Sequence, residues 1–422
     1  MDDVVAQPGR NRPHARISTL ERTAHSLRTS QILAVVIVGV LVGAALVVLD
    51  FQLVSRPSAC TTCVLGNIPA GYGPWDMVFD NSTDRLFVLD SGPGGFSAWG
   101  VTVINASSQT VVGFFPTVQR PNNIAYDTAN GDLYITRLCY NDIMVLNATT
   151  GANVTWISTP PAPFPSCEGP SALTYDAATG LVDVLEAVTP TLLLIDGGTN
   201  SVIATANLTV GQSLIASNPE TGQIYVTTAV QVPDWFNLTA LNGRTGLVQS
   251  TVQLNGSASA IAVDPSGSRI YVAVIVQGFG VGNIDNGSLV ALRAAPPSIL
   301  SSTPLGREPT GITADSWNRM LYVSDYYSGG LSIVNGATGQ AVGSVSLGSN
   351  PELVASDGES GCIYVLFYSG QVAVVAPPGS TCPSPPSSGV ALWQSVTSVA
   401  VIGGVAVLLV AWAARLPRFR RQ

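Results

Sequence analysis

Pro309-Thr-Gly-Ile312-Thr-Ala-Asp315, followed after a short turn by Leu321-Tyr322-Val323-Ser-Asp325, is the stretch on which the reading of the whole chain rests. It continues through Leu331-Ser-Ile333-Val334-Asn335 and Gly336-Ala-Thr-Gly339 to Ala341-Val342-Gly-Ser-Val345. These are four short β-branched or alternating runs, broken by Gly, Asn, Asp and Ser and nowhere long enough for a helix. They predict a four-stranded antiparallel unit.

The unit recurs. Aligned on the residue that ends the first strand, the chain carries Asp80, Asp127, Asp176, Asn218, Asp264, Asp315 and Asp357, spaced 47, 49, 42, 46, 51 and 42 residues apart. Seven places on, Phe87-Val88, Tyr134-Ile135, Tyr225-Val226, Tyr271-Val272, Tyr322-Val323 and Tyr364-Val365 mark the second strand, while the third repeat has Asp183-Val184 there. Six places upstream of the marker stand Pro74, Pro121, Pro170, Pro309 and Pro351. A repeat of this period built from strands alone reads as a ring of blades. Six repeats have room for a fourth strand. The seventh runs into Pro377-Pro-Gly-Ser-Thr-Cys382-Pro, which cannot continue a sheet. Val64–Ile68 is strand-like and unassigned, so it is expected to complete the last blade and leave no open terminal edge. The expected fold is all-β: a seven-bladed β-propeller over residues 64–376.

The Pro/Gly…Asp…Tyr-Val-Thr/Ser…Val-Ile-Asn…Thr pattern, plainest in Ile224-Tyr225-Val226-Thr227 and in the sixth repeat, resembles the YVTN β-propeller repeat family. The resemblance covers essentially the whole of 64–376. It implies a propeller of the kind found in surface-layer-like and cell-surface proteins, serving adhesion or surface architecture. Structurally related propellers include lactonases and quinoprotein dehydrogenases, so the repeat specifies fold better than function.

The flanks read differently. Ile32–Leu49 and Val396–Ala414, the latter extended upstream by Val390-Ala-Leu-Trp393, are uncharged apolar runs long enough to cross a hydrocarbon core of roughly 30 Å. They predict membrane helices over 31–50 and 390–414. The first run is too long, and too far from residue 1, for a cleaved signal peptide. Arg10, Arg12, Arg16, Arg22 and Arg28 precede the first run, and Arg415, Arg418, Arg420 and Arg421 follow the second. By the positive-inside rule the tails 1–30 and 415–422 are expected in the cytoplasm, with the propeller and its links, 51–63 and 377–389, outside. Residues 50–388 hold nine arginines against 23 acids, which argues against nucleic acid as a partner. The expected partners are the membrane and a surface protein or glycan.

Within each blade, the turns joining strands one to two and three to four lie on one face. The other face carries the connections from strand two to three and from blade to blade. Cys139 and Cys167 share the latter and are expected to pair. Cys60, Cys63, Cys362 and Cys382 gather on the former, where the ring closes, and are expected to form two disulfides whose partners the sequence leaves open. Both apolar runs leave from this closure face, which is therefore expected to look at the membrane. The opposite loop face carries Phe96, Trp99, Trp235, Phe236, Phe279, Tyr326 and Tyr327 among Gly and Pro, as a binding surface would. The same rings could simply cap blade ends. Glycosylation sequons stand at Asn81, Asn105, Asn147, Asn153, Asn207, Asn237, Asn255 and Asn286.

The chain has no lysine, and both histidines, His14 and His25, lie in the N-terminal tail. That removes a Ser-His-Asp triad, a His-ligated zinc and a lysine nucleophile from the exterior part. No metal, cofactor or catalytic residue is assigned. Paired carboxylates remain for acid/base work, Asp183 with Glu186 or Asp234 with Asp285. Arg120, Arg137, Arg307 and Arg319 fit either a channel site or blade-to-blade ion pairs. Two readings follow. One is a doubly anchored surface module binding through its outward face; the alternative is an extracytoplasmic propeller enzyme, lactonase-like or quinoprotein dehydrogenase-like, with a central-channel site.

Overall fold

The computed structural model describes residues 62–386 except 72, 92–98, 138, 162–168, 187–188, 209–211, 230–235, 277–285 and 349. Both apolar runs, both Arg-containing tails and Cys60 lie outside the described residues. A single strand, β1 (Cys63–Pro69), opens the fold. Blade one follows with β2 (Pro74–Asp80), β3 (Arg85–Asp90), β4 (Gly100–Asn105) and β5 (Thr110–Pro116). Blade two holds β6 (Pro121–Asp127), β7 (Asp132–Arg137), β8 (Asp142–Asn147) and β9 (Asn153–Ser158); blade three β10 (Pro170–Asp176), β11 (Leu181–Glu186), β12 (Thr191–Asp196) and β13 (Ser201–Asn207). Blade four holds β14 (Gln212–Ser217), β15 (Gln223–Ala229), β16 (Phe236–Asn242) and β17 (Val248–Leu254); blade five β18 (Ser257–Val263), β19 (Arg269–Val276), β20 (Asn286–Arg293) and β21 (Ser298–Arg307). Blade six has β22 (Pro309–Ala314), β23 (Met320–Asp325), β24 (Gly330–Asn335) and β25 (Ala341–Ser346), and the last has β26 (Pro351–Ser356), β27 (Ile363–Phe367) and β28 (Gln371–Ala376).

Each blade is a four-stranded antiparallel sheet, and the seventh is completed by β1, which pairs antiparallel with β28, Cys63 opposite Ala376 and Pro69 opposite Gln371. The first strand of every blade touches the first strand of the next, and β2 touches β26, so the seven inner strands close around an axis. The seven-bladed, strand-closed ring expected from the repeat is the one found.

Local chemistry explains why the repeat folds this way. All seven markers accept a hydrogen bond on Oδ1 from the backbone N–H two residues on, from Ser82 to Asp80 at 2.8 Å through Glu359 to Asp357 at 2.9 Å. This is an Asx turn, and it folds the first strand back onto the second. Packing between blades supplies the cohesion. There are seven apolar clusters, each drawn from two consecutive blades. Leu321 and Val323 of β23 point into the cluster shared with blade five, while Tyr322 between them points toward blade seven. Alternation of side chains along a strand buried on both faces accounts for the apolar second and third strands.

The recurrent tyrosine reaches across that interface. Tyr134, Tyr225 and Tyr271 are buried, and their hydroxyls donate to the Gly197, Ala294 and Gly336 carbonyls at 3.3, 3.1 and 2.8 Å, each in the last turn of the next blade. Tyr364 completes the pattern across the closure, accepting from Gln109 Nε2 of blade one at 3.0 Å. Tyr271→Phe removes one such inter-blade bond without opening a cavity. We expect it to cost about 1 kcal/mol in a denaturant titration, and no loss would mean that the hydroxyls fit the turns without holding them.

The fourth strands form the outer rim. Their exposed aliphatic residues cluster at the end nearest the closure face: Val111 and Val112 in β5, Val154 in β9, Val202 and Ile203 in β13. Leu247 and Val248 at the start of β17, Ile299 and Leu300 in β21, Val342 in β25 and Val64 in β1 complete the set. Toward the loop face the outer strands of blades three to six turn to hydroxyl-bearing residues such as Thr205, Thr251, Ser302 and Ser344, whereas those of blades one and two expose Phe114 and Trp156.

Candidate binding face

The loop face begins with a bulge repeated in all seven inner strands, where the pairing register with the second strand slips just after the strand's start. A residue placed opposite nothing keeps its side chain for other tasks. Trp75, Asn122, Ser171, Ser259, Thr310 and Glu352 occupy this place in six blades. Two of them stitch the ring, Asn122 Nδ2 donating to the Ser171 carbonyl at 3.1 Å and Thr310 Oγ1 to the Glu352 carbonyl at 2.6 Å, while Ser171 and Ser259 bond within their own blades, Oγ to the Leu185 and Ala273 carbonyls, both at 3.2 Å. Trp75 differs: it is 54% exposed.

Beside it, burial pushes the Asp76 carboxyl up to about 6, against hydrogen bonds from the Ile124 N–H at 2.9 Å, the Met77 N–H at 2.8 Å and Asn123 Nδ2 at 3.2 Å. Its oxygens join blade one to blade two, which leaves it a strut. Three further carboxylates end second strands at this face. Burial pushes Asp90 up to about 7 and Asp325 up to about 6. Thr102 Oγ1 donates to Asp90 and Ser332 Oγ to Asp325, both at 2.6 Å, and each acid keeps one buried oxygen with no hydrogen-bond partner. Glu186, at the same place in blade three, is also raised by burial and has one buried oxygen unpartnered.

Asp183 does not join Glu186. Three residues apart on β11 they project to opposite sides of the sheet, as Leu185 packs toward blade four and Val184 toward blade two. Asp183 is completely buried with both oxygens unpartnered. Burial, and secondarily the charge of Asp176, hold it well above the ordinary carboxylate range. Asp234 and Asp285 lie outside the described residues.

Of the aromatic residues proposed from sequence, Phe96, Trp235 and Phe279 also lie outside the described residues. Phe236 opens β16 and packs against the core shared by blades four and five, so it belongs to a strand and not to a loop. Trp99 is half-buried where its loop returns to β4. Tyr326 and Tyr327 pack edge to face with ring centroids 5.2 Å apart; Tyr327 is 58% exposed, and the Arg307 guanidinium lies 5.7 Å from its ring. Tyr368, 57% exposed in the turn after β27, was not singled out in sequence, and neither was Trp75. Tyr327, Tyr368 and Trp75 stand in blades six, seven and one, which are consecutive around the ring.

Arg137 pairs with Asp142 of its own blade, Nε to Oδ1 at 2.6 Å and Nη2 to Oδ2 closer still, and is held between the rings of Tyr140 at 4.1 Å and Trp156 at 4.8 Å. It makes an ion pair within a blade, so the blade-to-blade pairing does not apply to it. Arg120 Nη1 lies 2.6 Å from Cys139 Sγ. Arg319 lies on the other face, in a cleft of about 510 Å³ between blades five and six that is also lined by Asp264, Arg269, Tyr271 and Asp315. Arg269 Nη1 joins Tyr271 in donating to the Gly336 carbonyl, at 2.9 Å, and burial pushes Asp315 up to about 6.

Cys362 and Cys382 form a disulfide on the closure face. Cys63 and Cys139 are disulfide-bonded too, while Cys60 and Cys167 lie outside the described residues. Among the sequons, Asn81, Asn153, Asn207, Asn255 and Asn286 are exposed. Asn105 and Asn147 are half-buried, and their Oδ1 atoms accept from the Ser108 N–H at 2.8 Å and the Thr150 N–H at 3.0 Å. Asn242 and Asn335 make the same turn without a sequon, so turn chemistry alone accounts for asparagine at those two places.

No protein-family model matches the chain, and no curated protein does. Among solved structures it is similar to hydrazine synthase of Kuenenia stuttgartiensis, with a TM-score of 0.62 at 15% sequence identity, over 72% of this chain and 95% of that one. At that identity the likeness reaches the fold and no further: the chain is an all-β, seven-bladed propeller.

Proposed function

We propose that the chain is a membrane-anchored, extracytoplasmic β-propeller of the YVTN-like kind that binds a surface protein or glycan through its loop face. The observation that supports this best is the run of exposed aromatic side chains, Tyr327, Tyr368 and Trp75, across three consecutive blades of a rigid ring. Large exposed rings with few torsions suit carbohydrate faces and protein hot spots, since they contribute contact area at small entropic cost. The carboxylates near them are engaged as struts or buried against their own blades, so their placement serves the ring before any reaction. The two apolar runs and the arginine distribution support the anchored, outward-facing placement.

The test is the full chain in detergent, screened against a glycan array and against isolated envelope polymers and proteins. The Trp75→Ala/Tyr327→Ala/Tyr368→Ala triple variant should weaken the selected interaction at least about tenfold. Thr251→Ala, on the rim, should leave it unchanged. A triple variant that binds as the parent does would remove this sector from the account.

A further inference from the structure

The cleft between blades five and six, about 510 Å³ in volume, opens where one residue of the repeat is reduced to a methyl group. The residue before each marker is, in order, Phe79, Tyr126, Tyr175, Ser217, Val263, Ala314 and Ser356. Most of these reach back to the blade before their own. Phe79 stacks on Tyr364 of blade seven with ring centroids 5.7 Å apart, and the Tyr126 hydroxyl lies 3.5 Å from Ser82 Oγ of blade one. Even the short Ser217 and Ser356 make such a bond, to the Tyr175 carbonyl and the Thr313 hydroxyl, both at 3.0 Å. Ala314 is the smallest of the seven and lines the cleft. Across the unfilled space Asp264 is only half-buried, whereas the other six markers are buried.

The same cleft holds a backbone exception. Four residues after the marker the first turn takes a left-handed residue, and Gly131, Gly180, Gly222 and Gly361 supply it in four blades. Blade six puts Arg319 there, at φ 60°. A Cβ disfavours that conformation, so an arginine standing where glycine serves elsewhere points to a task for its side chain. Asp84 of blade one is held the same way, but its carboxylate is engaged locally by Ser107 Oγ. Among the described residues the Arg319 guanidinium has no hydrogen-bond or ion-pair partner. Arg269 directs Nη1 to the Gly336 carbonyl and pairs with no carboxylate among them. Asp264 accepts from the Ser266 N–H at 2.9 Å and from Ser268 Oγ at 3.2 Å, and Asp315, buried in the wall, keeps Oδ2 without a hydrogen-bond partner. Two guanidinium groups and two carboxyl groups therefore share one cleft with no ion pair between them.

We propose that this cleft binds an acidic sugar, a hydroxyl-bearing ring with one carboxylate, whose carboxylate meets Arg319 and Arg269 and whose hydroxyls meet Asp264 and the serines beside it. Guanidinium groups match a carboxylate in charge and in planar, two-pronged shape. Asp264 answers the other half of such a ligand, since an ionised carboxylate accepts from hydroxyls. A neutral sugar would leave both guanidinium groups without an anion, and a bare anion would face Asp264 with nothing to donate to it. Ala314, Leu321 and Ala337 in the lining offer an apolar wall for the C–H face of the ring, and the volume is that of an ordinary small-ligand site. The cleft lies at the first turns of the blades, on the face opposite Trp75, Tyr327 and Tyr368, so this ligand is separate from the one proposed for the loop face.

The test titrates glucuronate against the full chain in detergent by saturation-transfer NMR, with glucose and acetate as probes that each lack one half of the chemistry. Glucuronate should bind at least about tenfold more tightly than either. Two variants place the binding in the cleft. Arg319→Gly gives blade six the turn residue used by its neighbours, and Ala314→Tyr gives it the filler that blades two and three already carry. Both should melt no lower than the parent, and both should weaken glucuronate binding at least about tenfold. Failure of glucuronate to bind more tightly than both glucose and acetate would overturn the acidic sugar as ligand. Undiminished binding by either variant, in chains with the circular dichroism of the parent, would overturn the cleft as the site.

Discussion

The propeller should unfold at a temperature at least about 10 °C higher at pH 4 than at pH 8. Burial raises Asp76, Asp315 and Asp325 to about 6 and Asp90 to about 7, with Asp183 and Glu186 raised as well. An acid whose folded value lies above its unfolded one, near 3.9, binds its proton more tightly when folded. Its favourable term is complete below the unfolded value and is lost as the pH climbs through the folded value. The window is therefore about pH 4 to 7, and stability falls as pH rises across it. The values for Asp76, Asp90, Asp315 and Asp325 set an upper limit on the order of 10 kcal/mol between pH 4 and pH 8, and a term half that size already gives the stated shift at a few degrees per kcal/mol. No arginine is among the causes acting on these acids, even at Asp315 in the cleft with Arg269 and Arg319; Arg137 pairs elsewhere, with Asp142, and residues 50–388 have no lysine or histidine. Asp80 runs the other way: burial raises it, but hydrogen bonds from Ser82 and Thr83 outweigh that and leave it low, so its contribution is lost only at more acidic pH. Scanning calorimetry across the window reads the result. A midpoint equal or lower at pH 4 would mean that the buried carboxyls have found partners.

Asp183→Tyr should stabilise the protein by about 2 kcal/mol at pH 8, and by less at pH 4. Five blades hold a buried tyrosine at this register and one holds phenylalanine; blade three alone carries an acid. By the pattern of Tyr134, Tyr225 and Tyr271, the restored hydroxyl would reach the Gly243 carbonyl in the last turn of blade four. The substitution also removes an unpartnered buried carboxyl, whose desolvation costs roughly 1–3 kcal/mol. The dependence on pH identifies the mechanism. Relief of the carboxyl vanishes once it is protonated, whereas the gain from the hydroxyl persists. A variant less stable at both pH values would show that Leu185 and the blade-four residues Ile224 and Leu241 have closed over the space.

The repeat was legible because each of its signals acts locally. An aspartate that folds into an Asx turn, an aromatic that crosses to the next blade and a proline that starts the inner strand do the same work seven times, so coincidence of register could be read without coordinates. The binding face obeys no such rule. Trp75 occupies the bulge, where the ring accepts Asn, Ser, Thr or Glu as readily, and Tyr368 sits in a turn that asks only for Ser-Gly. Phe236 was read as a loop residue because Gln231-Val-Pro-Asp resembles one, yet β16 begins there and the ring packs inward. Asp183 was visible as an exception in sequence; that it faces away from Glu186 followed only from the strand that carries both.

The closing strand sets the order of events during synthesis. β1 is the first of the strands to leave the ribosome and its partner β28 the last, so at about 10–20 residues per second roughly 15–30 s separate the two. Throughout that interval β1 has no neighbour to pair with and blade seven has no outer edge, whatever the other six have achieved. The ring therefore cannot register as finished until Ala376 has been added, and any product truncated before Gln371 lacks β28 and keeps β1 unpaired. Such a fragment carries its own mark of incompleteness, an unpaired apolar strand at its beginning, which is the kind of feature quality-control proteases and chaperones act upon.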